Sequence, residues 1–172
     1  MELILIRHTR VATSGVCYGF SDVDLADTFE LEKNIIIEKN EFNNTNVFSS
    51  TLSRCTKLAS SLSSVYTTDD RIKELNFGDW EMQKWDEITD PRFDAWMKDY
   101  VNYRCPNGES LIDMKNRVEE FYNELISSEY SKLVVVTHAG VIRLFHHLIN
   151  GVTLDKMFDI KIDYGEVIRF KV

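Results

Sequence analysis

Two short stretches, LILIRH at residues 3–8 and LVVVTH at residues 133–138, decide the fold of this chain. Each is a run of branched apolar residues that leads to a histidine. Continuous apolar runs of this length are typical of parallel strands buried on both faces of a sheet. A polar residue directly after such a strand lies at its carboxyl end, where open α/β sheets bind their ligands. The two stretches therefore predict that His8 and His138 share one ligand-binding edge.

The rest of the chain alternates helical and strand-like patterns. Apolar spacing favours helices at about 52–65, 111–125 and 139–149, and shorter apolar runs favour strands at 47–48 and about 166–171. This alternation predicts an α/β fold, a three-layer sandwich with a mostly parallel central sheet and helices on both faces. No linker or repeat divides the sequence, so we expect a single domain over residues 1–172.

Some stretches have weaker patterns. Residues 25–39 fit a helix only loosely, the Asn-rich residues 43–46 predict a turn, and residues 68–79 are polar and irregular. Ser110 and Asp113 match the capping-box pattern at the start of a helix.

The composition excludes several functional classes. The 172 residues are 44% hydrophobic and 28% charged, as in an ordinary soluble protein, and the net charge is −8. Binding to nucleic acid without sequence preference requires excess Lys and Arg, so this charge argues against it. No stretch suits a membrane span or a signal peptide. Cys17, Cys55 and Cys105 form no CxxC pair and are expected to be free thiols of a reducing compartment. We expect a cytoplasmic protein without nucleic-acid or membrane partners; a homodimer is left open.

Two arginines are predicted at the same edge as the histidines. Arg7 precedes His8, and Arg54 lies in the first turn of the helix that follows the strand at 47–48. Arginine binds phosphate through two parallel hydrogen bonds, and each hydrogen bond to a charged group contributes about 1.5–3 kcal/mol. Within an acidic protein this pair forms a local positive site.

The residues after His138 point to the same ligand. Ala139 and Gly140 are small, and they open a helix whose backbone N–H groups can bind an anion. Two arginines, two imidazoles and a helix N-terminus at one edge suit a phosphate dianion.

These groups also suggest a reaction. A neutral imidazole can attack phosphorus and carry the phosphoryl group, and a carboxylic acid must then protonate the leaving oxygen. Glu74, in the polar stretch KELNFGDWE at residues 73–81, is our candidate acid, with Glu81 as the second choice.

Each of these residues alone has an ordinary structural explanation. A single histidine after a strand is more often structural, Arg54 would usually be a surface residue, and Glu74 would usually be solvated. His146 and His147 keep that explanation because they lie at a helix C-terminus. Only the joint placement at one edge favours a phosphate site.

The segment at about 80–107 is rich in aromatic residues, among them Trp80, Trp85 and Trp96. It is predicted to act as a lid that offers flat faces to a ring-bearing leaving group, or else only to pack against the sheet.

Five motifs together resemble the histidine phosphatase superfamily, the branch that is similar to phosphoglycerate mutase. They are Arg7-His8, SSTLSR at 49–54, ELNFGDWE at 74–81, Gly108-Glu109-Ser110 and VTHAG at 136–140, in the order the family has them. The resemblance spans nearly the whole chain.

The resemblance implies roles for individual residues. His8 would be the nucleophile, Glu74 the proton donor, and Arg7, Arg54 and His138 the phosphate pocket, with no metal or cofactor. The family usually continues the first motif with Gly-Glu-Thr, whereas this chain has Thr9-Arg10-Val11, and Met82 replaces a usual glycine. The short side chain of Thr9 still permits close approach of the backbone, so Thr9 and Ala139 are included among the substrate-binding residues.

The loop at 15–25 looks most similar to the α-ribazole phosphatase type, and Tyr18 within it is predicted to contact substrate. We therefore expect a phosphomonoesterase that acts on a small phosphorylated metabolite through phosphohistidine, with α-ribazole 5′-phosphate of cobalamin biosynthesis as the candidate substrate. The alternatives are a phosphotransferase of the mutase type and a non-catalytic phospho-ligand binding protein.

Overall fold

A computed structural model of the chain describes residues 1–43 and 45–172, with a five-stranded sheet at its centre. The strands are β1 (Glu2–Arg7), β2 (Asn46–Ser50), β3 (Thr67–Asp69), β4 (Lys132–Thr137) and β5 (Val167–Lys171), and their order in the sheet is β3-β2-β4-β1-β5. The pairs among β3, β2, β4 and β1 are parallel, and β5 joins β1 antiparallel.

Helices cover both faces of the sheet. They are α1 (Phe29–Lys39), α2 (Ser53–Leu62), α3 (Pro91–Lys98), α4 (Leu111–Ile126) and α5 (Ala139–Asn150). Short 3₁₀ turns lie at Asp70–Ile72, Gly78–Trp80, Trp85–Glu87 and Leu154–Asp159. The predicted α/β sandwich with a mostly parallel sheet is confirmed.

Alternation along β1 explains the layers. Leu3 and Leu5 pack into the core that contains α4 and α5, whereas Ile4 and Ile6 pack into the core that contains α1 and α2. Successive side chains of a strand point to opposite faces, so a strand covered on both faces must be apolar throughout. This explains why the stretches quoted first have no polar residue until the strand ends.

The register between β1 and β4 positions the two histidines. Arg7 lies opposite Thr137, and the backbone N–H of His8 extends the pairing by donating to the Thr137 carbonyl at 3.0 Å. His8 and His138 therefore leave the sheet side by side at the same edge.

The local predictions have mixed outcomes. The capping box at Ser110 and Asp113 is confirmed, and the helix that opens at Ala139 ends at Gly151 in a left-handed conformation with φ of 70°. The stretch at 68–79, predicted as irregular, contributes to β3, whose polar residues pair at an edge of the sheet where no alternating pattern is required. Of the turn predicted at 43–46, residue 44 lies outside the described residues.

Among the residues that the structure describes, none of the helices is long and apolar enough to cross a membrane. The three cysteines are free and buried, which confirms the prediction of free thiols.

Candidate active site

His8 is held in one tautomer by its own backbone neighbour. The imidazole is 2% exposed, and its Nδ1 lies 2.8 Å from the Thr9 carbonyl oxygen. Because a carbonyl can only accept a hydrogen bond, Nδ1 must carry the proton, which leaves Nε2 with a free lone pair. Among the described residues nothing hydrogen-bonds to Nε2. The ring therefore presents Nε2 as its basic nitrogen.

The surroundings of both imidazoles keep them neutral. Burial, followed by the charge of Arg54, lowers the pKa of His8 to about 3. Burial, Arg54 and His8 likewise hold the pKa of His138 well below its ordinary value. Neutral imidazole is the form that can attack phosphorus.

His138 packs edge-on against His8, with ring centroids 5.2 Å apart. It is completely buried at the N-cap of α5, and its Nε2 lies 2.9 Å from the Ser50 hydroxyl at the end of β2. The Cys55 sulfur lies 3.5 Å from the same nitrogen. The carboxyl ends of β1, β2 and β4 and the helices α2 and α5 therefore meet at this ring.

Arg54 is a fully buried cation at the start of α2. Its Nη1 donates to the Ser21 carbonyl at 2.9 Å and its Nη2 to the Gly19 carbonyl at 2.6 Å. Its Nε has no hydrogen-bond partner among the described residues. An unpaired buried donor is costly, so this N–H is available for an anion.

Glu81 fixes the loop at 19–21, whose carbonyl groups bind Arg54. Its carboxylate accepts the backbone N–H groups of Gly19, Phe20 and Ser21 at 2.8–3.0 Å. Burial by itself raises the pKa of this carboxyl, but these hydrogen bonds outweigh it and bring the pKa below its ordinary value. Glu81 does not line the cavity described below, so our second-choice acid is an anchor for the Arg54 loop.

Arg7 is positioned from the opposite end of the chain. Its Nη1 donates to the Ile162 carbonyl at 2.7 Å, and its guanidinium lies 3.7 Å from the centroid of the Tyr164 ring. The Gly165 N–H donates to the His8 carbonyl at 3.2 Å. Like Arg54, Arg7 has an Nε without a partner among the described residues.

Glu74 occupies the N-terminus of α5. One carboxylate oxygen accepts the Gly140 N–H and the other accepts the Leu75 N–H, both at 3.1 Å. A Cβ on residue 140 would lie 2.1 Å from this carboxylate, so the glycine is required for the contact. The prediction that the Gly140 N–H is free for an external anion is therefore wrong, because an internal carboxylate already takes it.

A half-buried ion pair fixes the segment that carries Glu74. The Arg117 guanidinium donates to both oxygens of Glu109 at 2.8–2.9 Å and to the carbonyls of Lys73 and Glu74 at 2.7–2.8 Å. Glu109 in turn accepts the Asn76 N–H at 3.0 Å. The backbone is thus held on both sides of residue 74. Sequence reasoning noticed Glu109 only as part of a motif and missed Arg117.

A cavity of about 540 Å³ opens above the histidines. Of the predicted site residues, the following line it: Arg7, His8, Tyr18, Arg54, Glu74, His138 and Ala139. Thr9 is fully buried and does not line the cavity, and it contributes its carbonyl instead of its side chain. Tyr164 and Arg143 are among the lining residues that sequence reasoning missed. Tyr164 bonds to the Tyr18 hydroxyl at 2.9 Å.

Aromatic rings form much of the outer wall. Trp85 and Phe77 line the cavity, and their rings contact at 5.3 Å. Trp80 and Trp96 are buried in the core and do not line the cavity. Of the segment at 80–107, Trp85 alone reaches the cavity wall.

Comparison with known proteins identifies a family for this sequence. Residues 3–172 match the family model described as the histidine phosphatase superfamily (branch 1). Phosphoserine phosphatase 1 of Hydrogenobacter thermophilus is 25% identical over 174 residues, which cover 95% of this chain and 82% of that protein.

Two further matches carry the name of the substrate type predicted from the loop at 15–25. The adenosylcobalamin/alpha-ribazole phosphatase of Escherichia coli is 30% identical over 98 residues, covering 55% of this chain and 48% of that protein. The crystal structure of the alpha-ribazole phosphatase from Shigella flexneri superposes with a TM-score of 0.91 at 23% identity, covering 100% of this chain and 91% of that one. This last likeness shows the fold alone.

The lowered pKa values predict which histidines resist protonation. In NMR spectra of protein with ¹³C-labelled histidine, the His8 and His138 signals should not titrate between about pH 5 and 8, whereas unfolded histidine titrates near 6.5. Arg54→Gln should raise the His8 midpoint only in part, because burial is the larger cause. Since the unfolded chain binds these protons first, the free energy of unfolding should fall as pH drops from about 6.5 towards 3.

His8→Gln and His138→Gln assign the two signals. The same titration in concentrated urea is the control, since all four histidines should then behave alike. A His8 midpoint near 6.5 in the folded protein would contradict this description of the site.

Proposed function

The chain belongs to the histidine phosphatase superfamily, and we propose that it is a phosphomonoesterase that transfers a phosphoryl group first to His8 and then to water. The observation that carries the proposal is the His8 tautomer, because the hydrogen bond from Nδ1 to Thr9 leaves Nε2 free to attack. The proposal treats residues 1–172 as one catalytic domain in the cytoplasm.

The first step forms a phosphohistidine. Nε2 of His8 attacks phosphorus while the ester P–O bond breaks, and Glu74 gives its proton to the departing alcohol oxygen. Arg7, Arg54 and His138 bind the phosphoryl oxygens, and the unpaired Nε–H groups of the two arginines are the donors that this charge would satisfy. The products of this step are a free alcohol and a His8 imidazole that carries the phosphoryl group on Nε2.

The second step returns the enzyme to its starting state. A water molecule attacks phosphorus, its proton passes to the Glu74 carboxylate, and the P–N bond breaks. Inorganic phosphate leaves, and His8 regains its lone pair on Nε2. Glu74 therefore acts as an acid in the first step and as a base in the second.

The substrate is proposed from the outer part of the cavity. Trp85, Phe77 and Phe158 form an apolar wall that suits a ring-bearing leaving group, which supports α-ribazole 5′-phosphate and a place in cobalamin biosynthesis. The name of the E. coli relative supports the same substrate, whereas that of the Hydrogenobacter relative points to phosphoserine. The covering role we proposed for the segment at 80–107 is then limited to Trp85.

Covalent catalysis predicts a trapped intermediate. Brief reaction with a good phosphoryl donor and rapid quenching should leave an acid-labile, alkali-stable phosphate on the protein, and His8→Ala should remove both this label and turnover. Inorganic phosphate as the only phosphorus-containing product would indicate hydrolysis. A mutase would instead transfer the phosphoryl group to an acceptor. Full activity of the His8→Ala protein would end the proposal.

A general acid matters only when the leaving group needs a proton. Glu74→Gln should reduce kcat for an alkyl phosphate by about 10²–10⁴-fold, with a much smaller effect on p-nitrophenyl phosphate, whose phenolate leaves without a proton. Steady-state kinetics on both substrates provides the measurement.

Glu81→Gln is the matched control for this prediction. Its carboxylate holds the Arg54 loop and does not line the cavity, so we expect similar losses on both substrates. Equal losses in Glu74→Gln would mean that Glu74 only positions other groups.

The aromatic wall predicts a preference among substrates. α-Ribazole 5′-phosphate and nucleoside 5′-monophosphates should have higher kcat/KM than glycerol phosphate, and Trp85→Ala should reduce that advantage about three- to tenfold, which corresponds to roughly 0.5–1.5 kcal/mol for a lost ring contact. Met97→Ala, an exposed residue of α3, is the control and should keep the preference. A wild-type preference for glycerol phosphate would argue against the ring-bearing substrate.

A further inference from the structure

The arginines of this acidic chain are nearly all paired with acids. The sequence has nine, and seven have a carboxylate oxygen within 4.0 Å: Arg10, Arg54, Arg71, Arg92, Arg104, Arg117 and Arg169. Arg7 and Arg143 have no such partner among the described residues. Both of them line the cavity above His8. Arg7 belongs to the proposed phosphate pocket, so Arg143 is the one unpaired arginine that the proposed reaction leaves without a role.

Arg143 is firmly positioned. It lies on α5, one turn after Gly140, and its half-buried guanidinium donates Nε–H to the Ile160 carbonyl at 2.9 Å. The guanidinium also lies 5.2 Å from the centroid of the Phe158 ring. These contacts use Nε and one face of the group. The two Nη atoms have no hydrogen-bond partner among the described residues.

Glu74 is the acidic residue whose charge acts on Arg143. It lies near enough to raise the pKa of Arg143, although burial outweighs it and lowers that pKa overall. However, no Arg143 nitrogen lies within 4.0 Å of a Glu74 carboxylate oxygen, and each of those oxygens already accepts a backbone N–H. Arg143 is therefore left with Nη donors that no group in the described part of the chain satisfies.

We propose that Arg143 binds a carboxylate on the leaving group of the substrate. The inference rests on the phosphomonoesterase chemistry proposed for His8 and adds a specificity residue to it. It favours a leaving group with a carboxylate over α-ribazole, which has none. The phosphate has Arg7, Arg54 and His138, so Arg143 is a separate donor on the α5 side of the cavity. Its two free Nη groups match the two oxygens of a carboxylate, and a single guanidinium balances a single charge. The substrate class is then a phosphomonoester of a hydroxy acid.

A matched pair of substrates isolates this contact. O-Phosphoserine and O-phosphoethanolamine differ only by the carboxylate. We expect wild-type kcat/KM to be about 10- to 100-fold higher for phosphoserine, the range expected for a hydrogen-bonded charge pair, and Arg143→Gln to bring the ratio close to one. Arg143→Lys, which keeps the charge without the planar fork, should give an intermediate ratio.

Arg169→Gln is the control for a lost surface charge. Arg169 lies on β5, pairs with Glu2 and does not line the cavity, so this variant should keep the wild-type ratio. Circular dichroism of each variant checks folding. The ratio within one variant is insensitive to a general loss of active protein.

Equilibrium binding separates failure of this inference from failure of the proposed function. Calorimetry with the His8→Ala protein, with and without Arg143→Gln, compares the two ligands without turnover. Tighter binding of phosphoserine that is lost with Arg143 would support the inference even if no monoester were hydrolysed.

Three results would overturn the inference. The first is hydrolysis or binding of both ligands at similar strength by the wild-type site. The second is equal loss on both substrates in Arg143→Gln, which would mean that Arg143 serves Glu74. The third is α-ribazole 5′-phosphate, which has no carboxylate, as the best substrate in both wild type and Arg143→Gln.

Discussion

The in-register parallel pairing of β1 with β4 is the constraint on which the site depends. It places Arg7 opposite Thr137 and extends by one hydrogen bond beyond the strands, so that His8 and His138 leave the sheet as neighbours 5.2 Å apart. A shift by one residue would exchange the side chains of β1 between the two cores and move His8 out of register with His138. The buried apolar strands therefore determine the geometry of the polar site, whose side chains come from the carboxyl ends of these strands and from the segments that follow them.

Carboxylates organise a positive site without neutralising it. Glu81 and Glu109 bind backbone N–H groups and so fix the loop that binds Arg54 and the segment that carries Glu74, and neither carboxylate lines the cavity itself. Among the described residues, Arg7 and Arg143 thus line the cavity without a carboxylate partner inside a chain of net charge −8. Burial and the charges of Arg54 and Arg7 act in the same direction on the His8 imidazole. Both disfavour a positive charge on the ring and so keep it neutral.

The parts of this protein that the sequence predicts are those with a strong local signal. The buried strands, the capping box at Ser110 and the side chains at strand ends follow from apolar runs and from sheet geometry. The edge strand β3 has no such signal, because its three residues are polar and it pairs with a neighbour on one side only. The Gly140 N–H and Glu74 were predicted as separate features, yet they contact each other, and only the tertiary structure could show that. Arg143 was missed because its helical face becomes meaningful only once the cavity above it is known.

The contact between Arg7 and Ile162 also has a consequence for when the site forms during synthesis. Its guanidinium is held by the Ile162 carbonyl, 155 residues further along the chain. His8 leaves the ribosome before the 162–165 segment, which contacts both Arg7 and His8. Contacts of such sequence separation form late, since the intervening chain must first be ordered. The surroundings of His8 are therefore incomplete until the segment near residue 162 has been synthesised and has packed against the sheet.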